Sequence, residues 1–289
     1  MPELPEVETM RLQLKKYLTG HKILSVDVKN RKTFQGDERD ILDTKILDTR
    51  RFGKVSVIDL SNGYSILTHV KLTGQYIYRG PNLKNPSKLS SKVTGGVPGP
   101  HTLVIFDLDR GGKLYYNDVR RFGWIRLEKT KDVENESFIK KLGPEPPVIK
   151  DFTGKFLTLD LFKQMLSKSR SPIKIVLMDQ KKMGGVGNIY ANDALWLAKI
   201  SPKTPAKDLD QKSLKDLYEA VLFVLKEGIK YGGASELAFV TPDGAEGEYQ
   251  NHTLAYGRGG EPCERCHKAI IKKFFLGGRG TYFCPFCQK

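Results

Sequence analysis

Apolar positions along the first eighteen residues recur at helical spacing. Val7, Met10, Leu14 and Leu18 line one face, Pro5 stands near the start and acids occupy the first turn, which predicts an amphipathic helix over 6–18. After Gly20 the period falls to two. Residues 23–28, 54–60 and 64–68 alternate as strands, with Asn62-Gly63 as a hairpin turn between the last two. Residues 102–108 and 113–116 pair in the same way across Asp109-Arg110-Gly111-Gly112, and 123–127 adds a further strand. The first half therefore reads as a mostly antiparallel β domain, a sandwich, carrying one N-terminal helix. Between Gly80 and Pro100 lies a stretch rich in Gly, Pro, Ser and Lys without an acidic residue, which reads as a solvated surface loop.

Gly143-Pro144-Glu145-Pro146-Pro147 punctuates the chain as a linker, and the periodicity beyond it is helical. Residues 160–167 form a short helix, Ser171-Pro172 opens a second, and 188–198 follows a glycine-rich turn as a third. Leu214, Leu217, Val221, Leu225 and Ile229 mark a longer helix, ended by Gly232-Gly233. The divisions expected are 1–142 for the β domain, 143–150 for the linker, 151–257 for a helical domain and 258–289 for a cysteine module. The fold class is α+β.

Gly184-Gly185-Val186-Gly187-Asn188-Ile189-Tyr190 has the look of a dinucleotide fingerprint, but Tyr190 stands where the third glycine belongs and a helix, not a strand, precedes it. Two readings stay open. The turn either presents backbone N–H groups and Asn188 to a phosphate at a helix N-terminus, or simply joins two helices.

All four cysteines lie in the last 27 residues, as Cys263-x2-Cys266 and Cys284-x2-Cys287 with seventeen residues between the pairs. That is the spacing of a structural zinc site with four thiolates about one ion. Haem attachment at Cys263–His267 would leave the second pair without a role, and a redox Cys-x-x-Cys lacks its βαβ context. The segment between the pairs reads as a β-hairpin around Gly277-Gly278-Arg279-Gly280.

Composition narrows the class. A chain of 289 residues buries a core without disulfide staples. With 39% hydrophobic and 28% charged residues and a longest apolar run of only 220–225, neither a membrane span nor a disordered chain fits. The start, Met1-Pro2-Glu3-Leu4-Pro5-Glu6, resembles neither a secretory signal nor a transit peptide, so a soluble cytoplasmic protein is expected. Lys and Arg number 48 against 33 Asp and Glu, a net charge of +15 that favours a polyanionic partner: DNA, RNA or an anionic membrane surface. The region 260–289 holds six basic against two acidic residues, which turns the cysteine module toward nucleic acid.

Five stretches in order, 1–9, Asp118-Val119-Arg120-Arg121-Phe122-Gly123, Leu142-Gly143-Pro144-Glu145-Pro146, 185–191 and the four-cysteine C-terminus, resemble the formamidopyrimidine-DNA glycosylase family, which also holds endonuclease VIII. The resemblance implies a β-sandwich with an N-terminal helix, then a helix-two-turn-helix domain ending in a zinc-finger hairpin. It also implies a monomer that flips an oxidised purine out of damaged duplex DNA, excises it and cuts the strand by β,δ-elimination. Pro2 is then the nucleophile once Met1 is removed. The chemistry agrees, because an α-amino group titrates near pH 8 and a lysine near 10.4, so more of the former is unprotonated at neutral pH. Glu3 becomes the general acid-base, Glu6 a supporting residue at the helix start, Lys54 the lysine of β-elimination, and Arg279 the arginine that grips phosphate and assists δ-elimination. Leu72, Arg120 and Phe122 fill the gap left by the flipped nucleotide, Leu72 standing where the family has methionine. His101, Lys174 and Asn188 match DNA-contacting positions, with Pro100, Leu103 and Ile175 replacing family neighbours and Phe52 standing as an extra residue before Gly53-Lys54. His69 reads as a buried, satisfied histidine. An endonuclease VIII-like enzyme for oxidised pyrimidines and a non-catalytic zinc-ribbon DNA binder are the alternatives.

Overall fold

In the computed structural model every residue is described except Asn85, Ser87 and Thr153; the first two fall in the Gly80–Pro100 loop and the third within the expected 151–257 domain. The chain divides into two compact units. One comprises Met1–Lys140 with Ile229–Gln250, the other Lys141–Gly228 with Asn251–Lys289.

The first unit opens on helix α1 (Leu4–Leu18). It starts two residues before the predicted 6–18 because Glu3 serves as its N-cap, with Pro5 tolerated in the first turn where an N–H has no helical partner. Two sheets follow. The first orders β1 (Ile23–Val28), β7 (Thr102–Leu108), β8 (Lys113–Asp118) and β6 (Gly74–Arg79), all antiparallel. The second orders β2 (Phe34–Gln35), β9 (Trp124–Lys129), β5 (Tyr64–His69), β4 (Val55–Leu60) and β3 (Ile46–Phe52), with only the β2–β9 pair parallel. Val7, Met10, Leu14 and Leu18 of α1 share one buried cluster with Ile58 and Ile66 of the second sheet and Tyr76, Val104, Phe106 and Tyr116 of the first. The apolar stripe of α1 and the facing sides of the two sheets thus close one core between them.

Strands β3 and β6 escape a period-two reading for opposite reasons. In β6 five of six residues are buried, so no alternation exists to detect. In β3 the buried positions include Thr49 and Arg51, whose polarity masks an inward face.

The stretch Ile229–Gln250, placed by sequence in the helical domain, packs with the first unit. The Tyr78 N–H donates to the Pro242 carbonyl at 2.7 Å and Gln75 Nε2 to the Ala238 carbonyl at 2.6 Å, while Val240 packs with Ile77, Val93 and Tyr115. The Gly80–Pro100 loop is correspondingly not a wholly solvated segment. Val93 is buried, and the Lys92 ammonium donates to Ser235 O and Glu246 Oε2.

The second unit holds α2 (Leu159–Ser167), α3 (Ile173–Met178), α4 (Asn188–Leu197), α5 (Gln211–Lys230, as far as Gly228) and the hairpin β10 (Lys272–Leu276) and β11 (Arg279–Phe283). Gly228 permits α5 to lie directly on the ring of Tyr190, because a Cβ there would fall 2.5 Å from it. The stretch read as a linker is an integral part of this unit: the Gly143 N–H donates to the Gln180 carbonyl at 2.8 Å, Glu145 is buried, and its backbone pairs with Lys155 and Leu157. Among the described residues no helix is long and apolar enough to cross a membrane.

Candidate active site

Pro2 and Glu3 are buried at the head of α1 behind an exposed Met1. The Glu6 carboxylate, 1% exposed, accepts the Glu3 N–H through Oε2 and the Ala234 N–H through Oε1, each at 2.7 Å. It thereby ties the helix start to the segment after α5. Gly233, at φ +83°, is required in that approach, since a Cβ would lie 2.8 Å from Glu6 Cγ.

Two residues further along α1, Glu8 sits between two arginines. Arg11 Nη2 donates to Glu8 Oε1 at 2.5 Å and Arg51 Nε to Glu8 Oε2 at 3.1 Å, all three residues being at most 4% exposed. Arg51 Nη1 also donates to the Gly53 carbonyl at 2.7 Å, and Arg11 Nη1 to the Thr49 carbonyl at 3.3 Å. A buried ion triad contributes little net stability after desolvation, but it fixes direction. Here it fastens the helix that carries Pro2 and Glu3 to the β3–β4 hairpin. Phe52 pairs with Val55, so the extra residue is absorbed as the last paired position of β3, and Gly53-Lys54 forms a two-residue turn with Gly53 at φ +56°. Lys54 is buried in that turn.

His69 is buried, as expected. Its Nδ1 accepts the Lys71 N–H at 3.0 Å, and burial, aided by the ammonium charges of Lys71 and Lys54, pushes its pKa down to about 3. The ring is therefore neutral and holds the loop that carries Leu72. Leu72 is half-buried, Arg120 is exposed, and Phe122 is 57% exposed with the Arg120 guanidinium 4.7 Å from its ring centroid. His101 is half-buried at the start of β7, and its carbonyl accepts the Asp118 N–H at 2.9 Å.

In the second unit Lys174 departs from expectation. Its side chain is fully buried rather than free to meet a DNA strand, and its ammonium donates to the Gly280 carbonyl at 2.8 Å and to Thr281 Oγ1 at 2.7 Å. The Thr281 hydroxyl in turn donates a hydrogen bond to the Arg279 carbonyl at 3.1 Å. Arg279 itself is exposed, first in β11 after the left-handed Gly277-Gly278 turn. Asn188 begins α4, and its carbonyl accepts Asn192 Nδ2 at 2.6 Å. Asn192 Oδ1 in turn accepts the Tyr282 N–H at 2.8 Å. Asn192 was not singled out by sequence; the signal is a second asparagine one turn after Asn188, in a helix buried from Ile189 to Trp196.

The four cysteine sulfurs lie within 4.8 Å of one another, with Cys263–Cys287 at 4.0 Å and Cys266–Cys284 at 3.8 Å. Thiolates bound tetrahedrally to one ion at about 2.3 Å stand about 3.8 Å apart, and a disulfide would need about 2 Å. The backbone N–H groups of Lys268 and Cys287 point at the sulfurs of Cys266 and Cys284, at 3.5 and 3.4 Å. The donor set therefore suits a closed, four-coordinate metal site.

Comparison with known proteins agrees with this geometry. Residues 1–125 match the formamidopyrimidine-DNA glycosylase N-terminal domain, and residues 142–239 match the H2TH domain of the same enzyme. Formamidopyrimidine-DNA glycosylases of Pelotomaculum thermopropionicum and Streptococcus thermophilus are 39% and 37% identical over 100% of this chain and at least 99% of their own. Among solved structures, Lactococcus lactis Fpg with abasic-site DNA aligns at TM-score 0.84 and 33% identity, covering 99% of both chains. The same enzyme with oxidised-pyrimidine DNA aligns at 0.83 and 34%, covering 100% of both. With both domain models matched in order and relatives aligned end to end, the chain belongs to the formamidopyrimidine-DNA glycosylase family.

Proposed function

We propose that the protein is a base-excision glycosylase and abasic-site lyase that binds damaged duplex DNA as a monomer, in the cytoplasm and nucleoid, and removes oxidised purines such as 8-oxoguanine and formamidopyrimidines. The observation that carries this reading is the head of α1. Pro2 and Glu3 are held there by Glu6, and the Glu8–Arg51 pair ties the same helix to the turn that carries Lys54.

After removal of Met1, the Pro2 secondary amine attacks C1′ of the flipped nucleotide as the bond to the base breaks. The C1′–O4′ bond then opens as O4′ takes up a proton, leaving an iminium whose fixed positive charge accepts the electrons of the C2′–H bond, so that a proton leaves C2′ and the phosphate leaves C3′. Glu3 exchanges protons with the opening sugar, Lys54 serves the elimination step, and Arg279 grips a phosphate of the lesion strand. Leu72, Arg120 and Phe122 occupy the vacated stack. His101 and Asn188 are assigned to backbone contacts, whereas Lys174 acts through Arg279 and not on DNA.

The metal is Zn2+, held by Cys263, Cys266, Cys284 and Cys287. All four positions are thiolate, which leaves no open site for a reacting group and makes the ion structural. Borohydride trapping on duplexes carrying 8-oxoguanine or dihydrouracil tests the reading. A covalent adduct on 8-oxoguanine is expected, and Pro2→Gly abolishes it. Trapping on neither lesion overturns the enzyme reading, and trapping on dihydrouracil alone moves the substrate to oxidised pyrimidines, the lesion class bound to the L. lactis neighbour.

A further inference from the structure

Two loops of the first unit carry the side chains assigned to the gap: 70–73 with Leu72, and 119–123 with Arg120 and Phe122. Neither belongs to a strand, and each turns through left-handed backbone, at Lys71 (φ +51°) and Arg121 (φ +57°). Both conformations are unfavourable for residues with a Cβ, so something must hold them.

One carboxylate touches both loops. Asp118 ends β8 and is 1% exposed. Its Oδ1 accepts the Thr73 hydroxyl and the Arg120 N–H, the latter at 3.2 Å, and its Oδ2 accepts the Gly123 N–H at 2.8 Å. Thr73 Oγ1 also accepts the Arg120 N–H at 3.0 Å, which closes a small ring of bonds between the loops. Beneath that ring the loop ends converge on the buried Tyr116 hydroxyl. A Cβ at Gly74 would lie 2.5 Å from it and a Cβ at Gly123 only 1.9 Å. Both glycines are therefore dictated by close approach, and the spacing of the two loops is set from below by Tyr116 and from above by Asp118.

We infer that Asp118 is a positioning residue for nucleotide extrusion, coupling the Leu72 loop to the Arg120–Phe122 loop so that their side chains enter the helix as one rigid wedge. The inference rests on the proposed gap-filling role of those three residues. Wedging draws on binding energy to unstack a base step, and a wedge that yields transmits none of it. Only a carboxylate serves all the donors. Its two oxygens offer about four acceptor sites, whereas an amide has one accepting oxygen and one donating nitrogen. In Asp118→Asn, therefore, one loop is always left facing an N–H group, whichever way the amide turns.

The test compares single-turnover excision of 8-oxoguanine from a fully paired duplex and from an unpaired bubble, for unaltered protein, Asp118→Asn, Thr73→Val, Thr73→Ser and Phe122→Ala. A 2-aminopurine beside the lesion reports unstacking. Asp118→Asn and Thr73→Val are expected to slow paired-duplex excision by about 10- to 100-fold, with the fluorescence rise slowed in parallel. The defect should shrink to within a few-fold in the bubble, where no stack needs opening, and Thr73→Ser, which keeps the hydroxyl, should restore the paired rate. Equal losses in duplex and bubble would mean a general structural role and overturn the inference. So would a normal fluorescence rise in both clamp variants, each confirmed folded by thermal unfolding. If Phe122→Ala leaves paired-duplex excision unchanged, the gap-filling assignment itself falls. If Phe122→Ala is slow while both clamp variants are normal, only the coupling does.

Discussion

Replacing Lys174 by methionine tests whether a buried cation can set the position of the exposed Arg279, to which the proposed function assigns a phosphate contact. The Lys174→Met side chain keeps the length and most of the volume of the original but leaves Gly280 O and Thr281 Oγ1 without the ammonium. Hydrogen bonds to a charged group contribute about 1.5–3 kcal/mol each, so the gross loss is about 3–6 kcal/mol. Against this, an ammonium that no longer has to be desolvated returns several kcal/mol. The net loss of stability is therefore expected to be only about 1–3 kcal/mol, too small to unfold the unit. Position is the more sensitive quantity. The Lys174–Thr281–Arg279 chain of hydrogen bonds fixes the start of β11, and a misplacement of about 1 Å costs a reacting group as much as 100-fold. The assay is single-turnover cleavage of an abasic-site duplex, resolving β- from β,δ-elimination products on a sequencing gel. Lys174→Met should accumulate the β product while Schiff-base trapping at Pro2 persists. An unchanged product ratio in a folded variant would show that Arg279 holds its place without Lys174, and would refute the reasoning.

Acid should weaken the fold through His69. The unfolded imidazole protonates near pH 6.5 and the folded one only at about 3, so the unfolded chain binds the extra proton between these values and stability is lost as pH falls through that window. The loss attributable to His69 is about 2 kcal/mol at pH 5, and urea titrations of His69→Gln at pH 7 and pH 5 should show that much less pH dependence; an identical decline in both proteins would assign the effect elsewhere. Metal removal should loosen the C-terminal module, since Cys263 and Cys284 form its core with Trp196, Ala255 and Ile271. Chelation with a chromogenic indicator should release one ion per chain together with loss of DNA binding, and release without that loss would separate the metal from function. Affinity for lesion duplex should fall steeply with salt, the log–log slope counting phosphates neutralised, and Arg279→Ala should lower that slope by about one. A slope near zero would leave the +15 charge unconnected with DNA.

Local pattern was enough for whatever depends on one face of one element. The stripe of Val7, Met10, Leu14 and Leu18, the alternating strands and the Asn62-Gly63 turn were legible because burial on one side imposes a period. The cysteine module was legible because tetrahedral thiolate geometry restricts spacing. The roles proposed for Pro2, Glu3, Arg120, Phe122 and Arg279 rest on resemblance, because no periodicity distinguishes these residues.

Tertiary structure decided the rest, and each case has the same cause. Strand β6 is covered on both faces and carries no alternation. Lys174 has the composition of a surface residue, yet its partners lie 106 and 107 positions away in the hairpin. The stretch after α5 follows a helical domain in sequence but belongs to the β unit through Glu6, Gln75 and Tyr78. Asp118 reads as an ordinary acid at a strand end until Thr73 and Gly123 are brought to its two oxygens. The sequence by itself determined which elements form and which chemistry is present, because propensity and spacing are local. Which charged groups are withdrawn from water, and what they hold, depends on partners far apart in the chain, and only the folded arrangement supplies them.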